Sequence, residues 1–339
     1  MRYIQRSILL LICLTVLFAS FVGAQEKESR DLFLITVKDK KGFIDKTGKI
    51  VIQPQFFHAG DFTGGIAPVW INCYPCEIRF IDEQGNFVRS PNLDENPQIK
   101  FHAGLAAVRI GDIPSGKYGF IDNKGNLIIE SRFAYVSDFS EDLASVSLDY
   151  ELEGYIDRNG KMIIEPQFED AYDFSEGLAR VKVEDKIGFI DKTGKILISP
   201  QFEDALDFTD GLNAVKQNEL WGFIDKQGKF IVPAKYYYTS GFSEGLAWVK
   251  AKDGGKFGYI DTSGKTKIPS IYTDANDFSE DLASIRINGK YQYINKNGNI
   301  AFPEKFDEAH SFIGGLAFVK VDNKSGYINK TGKFIWVEK

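Results

Sequence analysis

The sequence predicts an all-β chain, a tandem array of about nine three-stranded antiparallel repeats of ~34–37 residues. Three observations carry this. Aromatic residues make up 14% of the chain, with 28 Phe and 15 Tyr beside 32 Gly and 2 Met, a composition of short strands and turns rather than helices. The string Gly-Phe/Tyr-Ile-Asp-x-x-Gly starts at Gly42, Gly119, Gly154, Gly188, Gly222 and Gly258, with relaxed copies at Arg79, Gln292 and Gly326; the spacings along the chain are 37, 40, 35, 34, 34, 36, 34 and 34. A second string, Phe-Ser-Glu-Gly-Leu-Ala at Phe174 and Phe242, keeps the same beat in variants from Phe62, Phe101, Phe139, Phe208, Phe278 and Phe312.

The chain opens on a segment that does not belong to the repeats. Arg2 and Arg6 precede an uncharged run from Ser7 to Val22, and Val22-Gly23-Ala24 presents small residues for a signal peptidase. Residues 1–24 thus read as a signal peptide cut between Ala24 and Gln25, with residues 25–31 a short linker and 32–339 the array. The alternative is an uncleaved anchor, for which about 20 apolar residues are needed. Cys13 follows Ile12 inside the apolar run, which does not suit a lipoprotein signal. The expectation is an exported protein, periplasmic, surface-bound or secreted, not inserted in the membrane after cleavage.

Within a unit, Leu178 to Val183 alternates as a half-buried strand should. Glu184-Asp185-Lys186 turns into a second strand, Ile187 to Ile190. Asp191 to Gly194 reads as a type I turn with a left-handed Gly, leading to Ile196-Leu197-Ile198 and a stop at Pro200. Phe168, Ala171 and Phe174 stand three apart in the link, as do Phe202, Ala205 and Phe208, which suits a 3₁₀-like turn pressing rings onto the strands, with Glu169, Asp170 and Asp173 facing water. A unit with two apolar faces needs a neighbour on each side. Because the array opens on a first strand, Leu32 to Val37, and closes on a third, Phe334 to Val337, it ends in phase and reads as an open superhelical array, with a closed propeller-like ring as the alternative.

Charge and motifs narrow the chemistry. Without residues 1–24 the 41 Lys and Arg lose Arg2 and Arg6 against 47 Asp and Glu, leaving −8, and no basic cluster appears. Nucleic acid is therefore not an expected partner. The Asp of the first motif (Asp45, Asp82, Asp122, Asp157, Asp191, Asp225, Asp261) reads as turn chemistry, since an Asp opening a turn bonds its own backbone. No Asp-x-Asp-x-Asp run supports calcium, so neither metal nor cofactor is expected. The acids Asp138, Glu141 and Asp142 read as a solvated turn. His58, His102 and His310 fall at different repeat positions, and no nucleophile elbow or His-Glu-x-x-His helix occurs. Cys73 and Cys76 sit at a hairpin tip and read as a local disulfide worth about 2 kcal/mol rather than a redox or zinc motif.

Departures from the repeat point to function. The two longest spacings enclose an irregular insertion at 71–117. Tyr237-Tyr238 replace Glu169-Asp170 of the regular unit, Phe57-His58 do so near the start, and Trp248 takes the outward position of Arg180. Tyr237, Tyr238, Trp248 and Phe57 are thus candidate binding aromatics, their alternative role being to cover a neighbouring unit's core.

These motifs resemble the WG-repeat, or KWG-repeat, family found mainly in bacterial proteins. Trp221-Gly222-Phe223-Ile224-Asp225-Lys226-Gln227-Gly228-Lys229 matches its pattern in full, whereas Lys41, Tyr118, Glu153, Ile187, Phe257 and Ser325 take the Trp position elsewhere. The resemblance covers the array and implies a scaffold, with no shared reaction and no catalytic residues to carry over. The expected function is a monomeric binding or scaffold protein for a protein or polysaccharide partner, not an enzyme; the alternative is an envelope-polymer hydrolase with loop-borne carboxylates.

Overall fold

The computed structural model describes residues 31–73, 76–88, 100–102, 104–111 and 115–338. Among them nine antiparallel sheets follow one another in chain order, six of four strands and three of three. They stand as the blades of a closed ring, a nine-bladed β-propeller. The Tyr327 hydroxyl of blade nine donates to the Leu34 carbonyl of blade one at 3.0 Å, and the rings of Phe33 and Tyr327 meet edge to face at 5.4 Å. The open array inferred from the in-phase ends is thereby corrected to the closed alternative. Those ends misled because closure runs through side chains and not through one sheet shared by both termini. Blade one is built from Phe33–Val37, Lys40–Ile44 and Ile50–Phe56, and blade nine from Glu308–Ala309, Leu316–Val321, Lys324–Asn329 and Phe334–Val337.

Blade five shows the regular unit: Asp170–Ser175, Leu178–Val183, Lys186–Asp191 and Ile196–Phe202, each paired to the next. The last three are the strands the sequence predicts. The first replaces the predicted 3₁₀-like turn, and its reason is the open edge beside it. Glu169 N donates to Lys182 O at 3.0 Å, whereas a tight turn would leave that edge unpaired. A register shift between Ala171 and Phe174 lets residues three apart point the same way, so Phe168, Ala171 and Phe174 are all buried.

The core lies between blades rather than within them. One cluster takes Leu143, Tyr155 and Ile164 from blade four and Ala171, Phe174 and Val181 from blade five. Each Phe of the second motif wedges against the motif ring of the preceding blade, as Phe174 does on Tyr155 at 5.0 Å and Phe208 on Phe189 at 5.2 Å. Burying such a ring stabilises by about 2–3 kcal/mol.

The Gly that opens the first motif is explained by the fourth strand. A Cβ on Gly188 would lie 2.7 Å from both Ile198 O and Pro200 N, because the strand bends across it through two register shifts. Where the Gly is Arg79 the fourth strand shrinks to Phe87–Val88, and where it is Gln292 only isolated bridges remain, Ile294 with Ile300 and Tyr291 with Phe306. The motif Asp behaves as expected. Asp191 Oδ1 accepts from Thr193 N at 2.9 Å and Lys195 N at 3.1 Å, while Gly194 takes φ +84°.

The second motif stitches each blade to the next. Ser140, Ser175, Ser243 and Ser279 donate across the junction to the carbonyls of Phe174, Phe208, Phe278 and Phe312, at 2.6 or 2.7 Å. Glu141, Glu176 and Glu280 accept from the N–H groups of Gly177, Gly211 and Gly315 in the following blade. Lys192, Lys226 and Lys330, each on the residue after a motif Asp or Asn, pair with those same carboxylates at 3.2 Å. Glu141 is therefore not part of a merely solvated turn.

Candidate functional site

The two faces of the ring differ. One carries the turns between first and second strands and between third and fourth strands, and here the units repeat with little change. Every first-to-second turn among the described residues is closed by the same four-residue bridge, from Thr63 with Ile66 to Ile313 with Leu316, except in blade five, where Ser175 and Leu178 pair within named strands. The opposite face carries the second-to-third turns and the links between blades, and the departures from the repeat gather on it. Blades one, five, six, eight and nine have two-residue turns, Lys38-Asp39, Glu184-Asp185, Asn218-Glu219, Asn288-Gly289 and Asp322-Asn323, whereas residues 148–152 and 251–256 form longer ones.

This difference accounts for Tyr237. In blades five, six and nine the link acid caps the short turn: Glu169 accepts from Glu184 N at 2.7 Å, Glu203 from Asn218 N at 2.8 Å and Asp307 from Asp322 N at 2.9 Å, while blade eight has Thr273 there. In blade seven the turn is the longer 251–256, and the link position holds Tyr237 instead. In blade four, with its turn at 148–152, it holds Ala134.

The predicted aromatics part company. Tyr237 and Tyr238 are 38% and 49% exposed, their rings edge to face at 4.8 Å. Phe57 is 40% exposed beneath Lys40, whose Nζ stands 3.7 Å from the ring centre. It lies in blade two, across the ring from the tyrosines. Trp248 is half-buried: it packs on the core between blades seven and eight, meets Phe257 at 5.4 Å and hydrogen-bonds the Asp277 carboxylate. Its register position points into the next blade, where it covers part of that junction's core. Cys73 and Cys76 are opposite one another across their hairpin, but their sulfur atoms lie outside the described residues, as do Ala24, Gln25 and residues 89–99 of the insertion.

A cleft of ≈ 380 Å³ opens between blades four, five and six, lined by Tyr135, Ser137, Asp138, Asp173, Arg180 and Asp207 among others. Three consecutive blades can meet in this way only near the ring axis. Asp138, Asp173 and Asp207 each precede the wedge Phe of their blade and line the cleft; Asp173 is exposed there, as a water-facing acid should be, whereas Asp138 is half-buried rather than part of a solvated turn. Asp138 pairs with His102 at 3.2 Å and Asp207 with Arg180 at 3.1 Å. Asp173 is reachable from the cleft, yet the surrounding walls exclude enough water to raise its pKa above the ordinary carboxylate value; the neighbouring Asp138 and Asp207 add to this, and a bond from Ser137 opposes it. Burial likewise raises Tyr135 and Tyr172. Sequence reading missed this site, although Asp61, Asp138, Asp173, Asp207 and Asp277 recur in phase and Tyr135 shares the register position of Tyr238. A smaller cleft of ≈ 270 Å³ lies between blades eight and nine, with Asn276, Tyr291 and Ser311 on its walls.

Among the described residues no three His, Cys, Asp or Glu side chains come together as a metal cage, and no helix is long and apolar enough to cross a membrane.

The family pattern described as "WG containing repeat" matches residues 42–72, 118–150, 154–186, 187–221, 221–255, 257–291 and 293–324. No curated protein matches the chain in sequence. Among solved structures, one titled as the eukaryotic initiation factor is similar over 82% of this chain and 86% of its own, at TM-score 0.57 and 11% identity. Apo AztD from Citrobacter koseri is similar over 91% and 93%, at TM-score 0.44 and 10% identity. BamB from Moraxella catarrhalis is similar over 89% and 92%, at TM-score 0.42 and 11% identity. At such identities the likeness concerns the fold alone.

Proposed function

Because the chain belongs to the WG-repeat family, whose recurring side chains here join blade to blade, we propose that it is an exported binding scaffold offering one face of its ring to a protein or glycan partner. The observation that carries this is the gathering of irregularities on a single face. The long turns at 148–152 and 251–256, Phe57 and the Tyr237–Tyr238 pair all occupy the face opposite the stitched turns. Rigid elements hold that face in place while its loops differ, which is how binding surfaces are commonly mounted. The basic start and uncharged run of residues 1–24 support export. The hydrolase alternative needs two convergent carboxyls with raised pKa in one cleft. Of the cleft carboxyls Asp173 is raised; Glu153, also raised by burial, lies outside the lining and accepts from Ala171 N at 2.8 Å.

The test is capture from an envelope extract by the full chain and by Tyr237→Ala/Tyr238→Ala. The exposed pair should lower partner recovery with a melting temperature unchanged within about 2 °C, as expected for a surface substitution within about 0.5 kcal/mol. Unchanged recovery, or a large fall in melting temperature, would remove the tyrosines from the site.

A further inference from the structure

Both clefts trace to one register position. Arg180, Trp248, Ser145 and Ser284 stand on second strands opposite the motif rings Phe189, Tyr259, Tyr155 and Tyr293. From that position Arg180 reaches into blade six. Its Nε is 3.1 Å from Asp207 Oδ1, its Nη1 donates to the Ala205 carbonyl, and its planar group lies over the Tyr172 ring at 3.9 Å. Trp248 fills the same space one junction further on and donates to Asp277. Ser145 is too short to do either. It is wholly buried and its hydroxyl has no hydrogen-bond partner, although it starts from the position that serves Asp207 and Asp277 elsewhere. The large cleft opens on the other side of a wall that includes Ser137, whose Oγ accepts from Ser145 N at 3.0 Å. Ser284 lies behind the wall of the smaller cleft, its hydroxyl donating to the carbonyl of the lining residue Ala309 at 3.2 Å, and Ser311 stands where the aspartate would be.

We infer that the cleft between blades four and five receives a guanidinium group, an arginine side chain presented by a protein partner, in the manner that the chain holds its own Arg180. Asp173 stands in the place of Asp207, and the Ala171 carbonyl in that of Ala205. Tyr135, 41% exposed on the wall of the cleft, supplies a ring face, as Tyr172 does for Arg180. A planar fork fits two acceptors and a ring together, which a lysine ammonium does not. The volume of ≈ 380 Å³ falls in the range of small-ligand sites. The inference rests on reading the ring as a binder and names the chemistry at one site.

The experiment is calorimetric titration of the full chain with N-acetylarginine amide and with its citrulline counterpart, which keeps the shape and loses the charge. Saturable binding of the arginine probe, at least about tenfold weaker for citrulline, is expected. Asp173→Asn and Ser145→Arg should both abolish it, the second by filling the cleft from within, with a melting temperature at or above that of the parent. No saturation at millimolar arginine, equal binding of citrulline, or binding that survives Ser145→Arg overturns the inference. Tyr237→Ala/Tyr238→Ala leaves the cleft intact and should bind the probe as the parent does, so the two readings fail separately.

Discussion

At the scale of single residues, the repeat is a set of spatial obligations. The motif Gly is required not by its own conformation but by the strand that crosses it, and this sorts the blades: of seven with Gly, six carry a seven-residue fourth strand and blade nine a four-residue one, while Arg79 and Gln292 carry a remnant or none. Gly188→Ala should therefore cost more than about 2 kcal/mol in denaturant unfolding, the methyl meeting backbone that cannot withdraw. A loss below about 0.5 kcal/mol would show that the strand adjusts. The recurrence of the Gly was plain in the sequence. Its reason was not, because the strand it accommodates lies ten residues away and nothing local marks the crossing. The turn aspartates were legible for the opposite cause: their partners are their own neighbours two and four residues on.

At the scale of elements, local and non-local information separate in the same way. Alternation and turn chemistry located the second, third and fourth strands of each blade, but the short first strand was read as a tight turn because its pairing partner lies across a hairpin. Cross-junction bonds were equally hidden. Glu141 and Asp138 look alike as acids in a polar turn; one bonds a Gly N–H in the next blade and the other meets His102 of the preceding one. Blade-to-blade bonding also uses the motif tyrosines: Tyr155, Tyr259 and Tyr293 donate to the carbonyls of Tyr172, Asn276 and His310, at 2.6 to 2.8 Å. Blade nine has Tyr327, whose hydroxyl closes the propeller, and the remaining five blades have Phe there, so the ring fits without its hydroxyl. Tyr155→Phe should cost about 1 kcal/mol, the net worth of one bond, and leave the far-ultraviolet spectrum unchanged. A neutral substitution would mean that the junction is held by packing alone.

At the scale of the whole molecule, the titrating groups divide into two sets with opposite effects. The hydroxyls of Thr47, Thr193 and Ser263, then the turn N–H groups, hold Asp45, Asp191 and Asp261 below the ordinary value of 3.8. Their contribution is complete above 3.8 and is lost as pH falls through the lower folded values. Asp173 and Asp277 are raised, chiefly by burial, so theirs is complete below 3.8 and lost as pH rises through the folded values. Melting temperature should thus drop on acidification below pH 3.8, while Asp173→Asn melts above the parent at pH 7 and converges with it in acid. Parallel profiles for parent and variant would contradict the assignment. Repeat number and phase were readable from sequence, but closure was not. It depends on the angle between successive blades, a sum over every interblade contact, and on two aromatic residues some three hundred positions apart.

Those junction bonds share a direction. The Tyr, Ser and Glu groups named above reach forward to the blade that follows, so each is unmet until its successor has folded. On this pattern the chain should assemble like a zip drawn from its beginning, with blade nine turning back to find its partner. There the Tyr327 hydroxyl, its pKa raised to about 12 by burial and the charge of Asp61 two blades away, reaches a strand carbonyl that other blades reserve for their own backbone. Closure is then expected as the last event of folding and its reversal as the first of unfolding. Pulsed hydrogen exchange should show protection reaching the Phe33–Val37 strand after the middle blades, and simultaneous protection around the ring would rule out that order.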